Sequence, residues 1–457
     1  MFKMKTITLS LLALLLVMSF ASCASDTTSD LPLPSKDMKA YLQVKVTVEG
    51  SGDTRASRAD KGPDGGEDGD GSEQGINKEN DVSSLTVLLY KSEENDLSDD
   101  NAIIEYVYTF TGLTASTPSS GSNVTYTTNP REIDPIIVGK DYRVLVIANA
   151  GDMTSRCKGK KISEIRDMQM DKVCTRNDVI ANFTDFVMSS KKDAKIDFSG
   201  KSGSGTGTES DPYVVNVDIE RLAARIDIIP NATYVDTDKG YYYNVMDGTN
   251  VIGGFKLESV TPTKVMTKGE YLIKRVSSDA AVSAVTYFGL EEMDATTKAS
   301  TNYVVCPWTK DRTGLTLAEA EGPASLYNVK ETTSTSTAVK DASYILDYVM
   351  ENTTTNNTEA NSTGLIFKGK YYEETEWDAT MKQPKAGFTG TDKEYTYTLR
   401  HSDPSGSGTI SDPMHFGVVR NNIYQVKVEG VEGKSKGLKL TIHVVPWAHY
   451  DHGEVIY

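Results

Sequence analysis

The chain opens on an almost unbroken apolar run, Ile7 to Met18, behind Lys3 and Lys5, and then settles into short stretches of alternating character. The clearest is Tyr41 to Glu49. Leu42, Val44, Val46 and Val48 fall on one face and Gln43, Lys45, Thr47 and Glu49 on the other. A strict period of two predicts a half-buried strand. Further strands are predicted at Val82 to Tyr90, Ile104 to Phe110, Val124 to Thr128, Tyr142 to Ala148 and Tyr213 to Asp218. The second half adds Arg225 to Ile229, Phe255 to Thr261, Tyr344 to Met350, Tyr395 to Arg400, Ile423 to Glu429 and Leu438 to Val445. Ile162, Ile165 and Met168 recur at helical spacing, as do Val179, Phe183, Phe186 and Val187, which predicts two short helices with core-facing stripes. Many short strands joined by turn-rich loops imply an all-β chain of sandwich domains.

Punctuation along the chain suggests where those domains lie. Directly after the first strand comes Gly50 to Ala59, carrying Arg55 and Arg58, followed by an acidic, glycine-rich run to Gly75. The first strand is thus expected to fold with its domain yet be separable from it by a cut. A Gly/Ser stretch from Ser199 to Thr208 places a domain boundary near Pro212, giving domains at 59–212 and 213–457. The segment Gly207 to Pro212 is echoed by Gly408 to Pro413, and both read as turn chemistry.

The leading apolar run is shorter than the roughly 20 residues of a spanning helix, so residues 1–22 are expected to be a cleavable signal peptide. The run ends Phe20-Ala21-Ser22-Cys23, which looks like a bacterial lipobox, with Cys23 as the acylated first residue after cleavage. Residues 23–58 then form a lipidated propeptide that carries the first strand. A lipid at Cys23 anchors a chain without spanning the membrane.

Composition narrows the function. With 24 tyrosines, 11 phenylalanines and 3 tryptophans among 457 residues, the chain is strand-rich and wet-surfaced. A net charge of −16 argues against nucleic-acid partners, which require a basic footprint. Setting Cys23 aside leaves Cys157, Cys174 and Cys306, an odd number that cannot complete a disulfide framework, although a Cys157–Cys174 bridge stays open.

Catalytic and cofactor patterns are not met. Gly203, Gly205 and Gly207 lack the Gly-Lys-Ser/Thr of a phosphate loop and read as a solvated linker. His449 and His452 near the end lack a supporting ligand pattern, and Asp64, Glu67, Asp68 and Asp70 depart from the spacing of a calcium loop. No metal, no cofactor and no enzymatic activity are therefore expected.

Several segments together resemble the FimA/Mfa-type fimbrillins of Bacteroidales. The most specific is Val418-Val419-Arg420-Asn421-Asn422-Ile423-Tyr424 with the ending Val444-Val445-Pro446-Trp447; weaker echoes are Tyr142 to Asn149 and Glu220-Arg221-Leu222-Ala223-Ala224-Arg225-Ile226. The resemblance implies two tandem transthyretin-like β-sandwich domains with a few short helices. It also implies an outer-membrane lipoprotein precursor, maturation by an arginine-specific protease, and assembly into an extracellular fimbrium with copies of itself and related subunits. Carried onto this chain, Leu42, Val44, Val46 and Val48 match the displaced strand, and Arg55 or Arg58 the cleavage site. Leu438, Leu440, Ile442 and Val444 match the donor strand. The expected role is a stalk subunit supporting adhesion to a host or bacterial surface receptor. A tip or accessory adhesin and a non-polymerising, glycan-binding surface lipoprotein are the alternatives.

Overall fold

The computed structural model describes residues 39–48, 73–74, 77–91, 100–116, 124–177, 180–199, 205–235, 238, 240–277, 285–287, 303–308, 317–318, 344–354, 359–401, 416–433 and 437–448. Two ten-stranded sheets dominate, each with its own apolar core, and helices are few and short. The chain is all-β, built as two domains in tandem.

The first sheet runs in the order Ile104–Thr111, Ser84–Tyr90, Asp141–Ala148, Met188–Ser190, Tyr213–Arg221, Ala40–Val48, Thr125–Thr127 and Thr114–Ala115. Ala194–Asp197 also pairs with Asp141–Ala148, and Arg131–Ile133 with Ala40–Val48. The second sheet runs Glu73–Gln74, Gly437–Ala448, Asn422–Glu432, Gly240–Asp247, Asn250–Thr263, Gly364–Glu373 and Thr391–Thr398. Within it, Ala224–Ile229 bridges Tyr344–Val349 and Asn422–Glu432.

Two expectations need correction. The boundary does not fall near Pro212. Tyr213–Arg221 lies in the first sheet, paired in register with Ala40–Val48, and the chain passes to the second sheet only at Leu222-Ala223. The described end of the Gly/Ser stretch, residues 205–208, therefore belongs to the first domain. The second expected helix is also not formed among the described residues. Ile180–Asn182 is a single 3-10 turn, and Asp185 sits in the left-handed region (φ 51°), where a helix cannot continue. Phe183, Phe186 and Val187 still reach the core. The other expected helix is present as Ile162–Arg166, with Ile162 and Ile165 buried.

The domains are joined by shared packing. Met266, Leu272 and Ile273, together with Tyr348, Met350 and Ile423, leave the second half of the chain to enter the first core. Glu270–Tyr271 pairs with Gln169–Met170, and the Leu272 N–H donates to the Met168 carbonyl at 2.8 Å. Cys157, Cys174 and Cys306 are buried free thiols, so the open Cys157–Cys174 pairing is not made. Burial pushes the first thiol up to about 11 and the second to about 12.

Candidate assembly groove and domain junction

The first strand, Ala40–Val48, realises its alternation completely. Ala40 is 2% exposed and Leu42, Val44, Val46 and Val48 are fully buried, while the residues between them are half-buried. Partners stand on both sides. Tyr213–Arg221 runs parallel to it, with Leu42 opposite Tyr213, Val44 opposite Val215, Val46 opposite Val217 and Val48 opposite Ile219. Thr125–Thr127 and Arg131–Ile133 run antiparallel on the other side. The interval between those short strands is bridged by Thr128. Its hydroxyl accepts the Val44 N–H at 2.9 Å, and its own N–H donates to the Val44 carbonyl at 3.0 Å.

The Gly/Ser loop contributes to the same site. The Gly207 carbonyl accepts the Tyr41 N–H at 2.9 Å. Gly205 and Gly207 both have positive φ, and a Cβ there would lie 2.0 Å from the Pro212 carbonyl oxygen or 2.3 Å from the Tyr213 ring. Only glycine fits, so these positions are a shaped rim and not a solvated spacer.

Burying four aliphatic side chains of this size contributes on the order of 6–12 kcal/mol gross, an upper bound. The single ion pair along the strand's start, Lys39–Glu132 at 3.2 Å, is exposed on both sides. Burial and backbone pairing hold this strand.

The closing strand, Gly437–Ala448, is placed differently. It pairs antiparallel with Asn422–Glu432 from Gly437 opposite Glu432 to Pro446 opposite Asn422, with a bulge between Val428 and Gly430. Its outer side meets only Glu73–Gln74 among the described residues, through Glu73 opposite Trp447 and Gln74 opposite Ala448. Leu438 is half-buried against the second core. The closing strand is thus an edge strand, the position from which a strand exchanges most readily.

Charge pattern gave no sign of what fills the junction between the sheets. Arg420 is fully buried between Glu270, at 3.3 Å, and Glu351, at 3.4 Å, and its guanidinium also donates to the Leu272 and Tyr271 carbonyls. Lys274 faces Glu220 at 3.8 Å in the same cluster. Glu270 thus shares one guanidinium with Glu351. Burial holds its carboxyl well above the usual range, with Arg420 opposing and Glu351 reinforcing the shift.

A second knot centres on Glu79, which is fully buried. Arg225 approaches it at 3.2 Å while also pairing with Asp227 at 2.6 Å, and the Tyr348 hydroxyl donates to Glu79. The Arg221 Nε donates to the Glu79 carbonyl at 2.9 Å, and desolvation lowers this guanidinium to about 10. Asn421, left-handed at φ 55°, donates its N–H to the Ala223 carbonyl at 2.8 Å and accepts from Arg221 at 3.1 Å. Asparagine is among the few side chains that tolerate this backbone region.

The resemblance segments Glu220 to Ile226 and Val418 to Tyr424 are therefore junction residues. Tyr142 to Asn149 ends in a similar corner, where Asn149 (φ 59°) accepts the Ser83 N–H and donates to the Asp81 and Phe186 carbonyls. Of the expected site residues, Leu42, Val44, Val46 and Val48 lie together in the first sheet, and Leu438, Leu440, Ile442 and Val444 follow one another along the edge of the second. Cys23, Arg55 and Arg58, the acidic residues from Asp64 to Asp70, and His449 and His452 lie outside the described residues. Among the described residues no group of acidic, histidine or cysteine side chains is arranged to hold a metal ion.

Comparison with known proteins adds one sequence match and several distant structural ones. Residues 40–221 match the family described as major fimbrial subunit protein (FimA). None of the curated proteins matches. Among solved structures, a protein of Parabacteroides distasonis described as a candidate cell adhesion protein gives a TM-score of 0.47 at 14% identity, covering 91% of this chain and 99% of that one. A fimbrilin (FimA) of Porphyromonas gingivalis gives 0.40 at 15%, over 90% and 99%. The tip fimbrial protein Mfa3 of the same species, truncated at its C-terminus, gives 0.37 at 12%, over 90% and 100%. The matched segment coincides with the first domain as the sheets define it, from the first strand to Arg221, so the likeness to the major fimbrial subunit family is one of that domain.

Proposed function

We propose that this chain is a structural subunit of a fimbrium stalk. It is exported as a lipoprotein precursor through Cys23, cut after Arg55 or Arg58, and joined to other copies by strand exchange. The observation that carries the reading is the first strand. It is buried along its inward face and paired on both sides, yet the sequence places two arginines within ten residues of its end. The family match over the first domain supports an extracellular fimbrium as its destination.

The physics of release follows from connectivity. While the strand is covalently attached, its effective concentration at the groove is on the order of millimolar or more. A cut makes the association bimolecular, and the strand can be lost on dilution. Association costs of roughly 4–15 kcal/mol then offset much of its burial energy. The emptied groove exposes apolar positions between Tyr213–Arg221 and Thr125–Thr127. The closing strand of a neighbour carries the same alternation, Leu438, Leu440, Ile442 and Val444, and is held along one side over most of its length.

Trimmed, purified subunits test this by non-denaturing electrophoresis. Native protein should start at Ala56 or Ala59 and form ladders of oligomers. Ile442→Asp should abolish the ladders by placing an unpaired carboxylate in the groove, whereas Thr441→Asp, on the opposite face, should preserve them. Normal ladders from Ile442→Asp would overturn the reading.

A further inference from the structure

Between the cleavage segment and the body of the first domain lie two short described pieces, Glu73–Gln74 and Asn77–Asn80. Both stay with the subunit after a cut at Arg55 or Arg58, so the inference rests on that reading for its place in maturation. The second piece is firmly seated. Glu79 and Asn80 are buried, Glu79 is ion-paired with Arg225 of the second domain, and Arg221 of the first domain donates to both residues. The first piece pairs with the outer side of the closing strand near its end, opposite Trp447 and Ala448. One end of this short stretch is thus fixed in the domain junction and the other lies on the strand expected to move.

We propose that Glu73–Gln74 and Asn77–Asn80 form a retained clasp, with Glu79 as its anchor and the Glu73–Gln74 backbone as the element that holds the closing strand on its own domain. Pairing along a free strand edge satisfies backbone groups there and hinders fraying from that end. A ladder only two residues long is weak enough to yield to a competing groove, so the clasp sets how fast the closing strand leaves and not whether it can. The anchor makes the arrangement efficient. A chain pinned five residues beyond the ladder, at Glu79, loses less freedom on pairing than a free tail would.

Hydrogen exchange on the full-length protein and on the trimmed subunit tests the clasp directly. Replacing both Glu73 and Gln74 by proline removes their backbone donors and cannot maintain the ladder. Amides of Gly437–Ala448 should then exchange roughly fivefold faster, the factor to which about 1 kcal/mol for one net hydrogen bond converts. Amides of Gly364–Glu373, on the far side of the second sheet, should be unchanged and report that the domain stays folded. Glu79→Gln, which loosens the anchor without altering the ladder, should accelerate the same amides. Unchanged exchange over Gly437–Ala448 in the double-proline protein overturns the clasp. Faster exchange without oligomers from either protein supports the clasp and overturns strand exchange, so the two ideas fail separately.

Discussion

The first strand and the closing strand share a pattern but not a situation. Ala40–Val48 sits inside a sheet with partners on both sides and its inward side chains out of water. Gly437–Ala448 sits at a sheet edge, paired on one side over most of its length and touched on the other at two positions. Alternating valines and leucines specify a strand with one buried face. They do not say how many neighbours it has, and neighbours decide whether it can leave. In the proposed scheme the more deeply held strand is the one that is cut away, and the loosely held one needs no cut.

Substitutions on the two strands should differ accordingly. Val44→Asp in the full-length protein buries a carboxylate at the centre of the first sheet and should cost at least about 3 kcal/mol, lowering the melting temperature by roughly 6–12 °C. Ile442→Asp should cost the same protein less than half as much. Equal losses would erase the distinction between centre and edge.

The domain junction offers a second way to sharpen the comparison, because both strands end near it. Burial raises the Glu270 carboxyl well above the ordinary range, so between its ordinary and its raised value the folded state holds a proton that the unfolded chain releases. Stability is then fully present at acid pH and falls as pH rises through the raised value. Denaturant unfolding between pH 5 and pH 9 should show that decline, and Glu270→Gln should flatten it. A slope identical in both proteins would remove Glu270 as its source. The smallest effect is expected at Lys39→Ala, which removes the exposed pair with Glu132 and should leave the melting temperature unchanged.

Where one face of a strand is buried and the other wet, the sequence is transparent, and Ala40–Val48 is its clearest case. Gly240–Asp247 was unreadable for the opposite reason. Tyr241, Tyr242 and Tyr243 are all buried, two in the main core of the second domain and Tyr242 against Tyr372 and Trp377, so no alternation survives. Gly364–Glu373 hides in the same way, with both faces largely covered. The junction was legible only as a resemblance. Glu79, Arg221 and Arg420 look like surface charges in a one-dimensional pattern, because their burial depends on partners 69 to 269 positions away, as with Glu351 for Arg420 and Tyr348 for Glu79. The edge position of the closing strand was likewise invisible, since it depends on which strand fails to lie beside it.

The parallel register of Ala40–Val48 with Tyr213–Arg221 has a mechanical consequence. A strand seated in that groove lies alongside its neighbour over seven matched positions, from Leu42 opposite Tyr213 to Val48 opposite Ile219. In the proposed filament, a pull along a strand so seated would load the ladder in shear. All its hydrogen bonds then resist together, where a peeling load would break them one after another. The neighbour strand ends at Arg221, which grips Glu79, Asn80 and Asn421 inside the junction. In that proposed filament, tension entering through the groove would pass into both domains by way of a buried guanidinium.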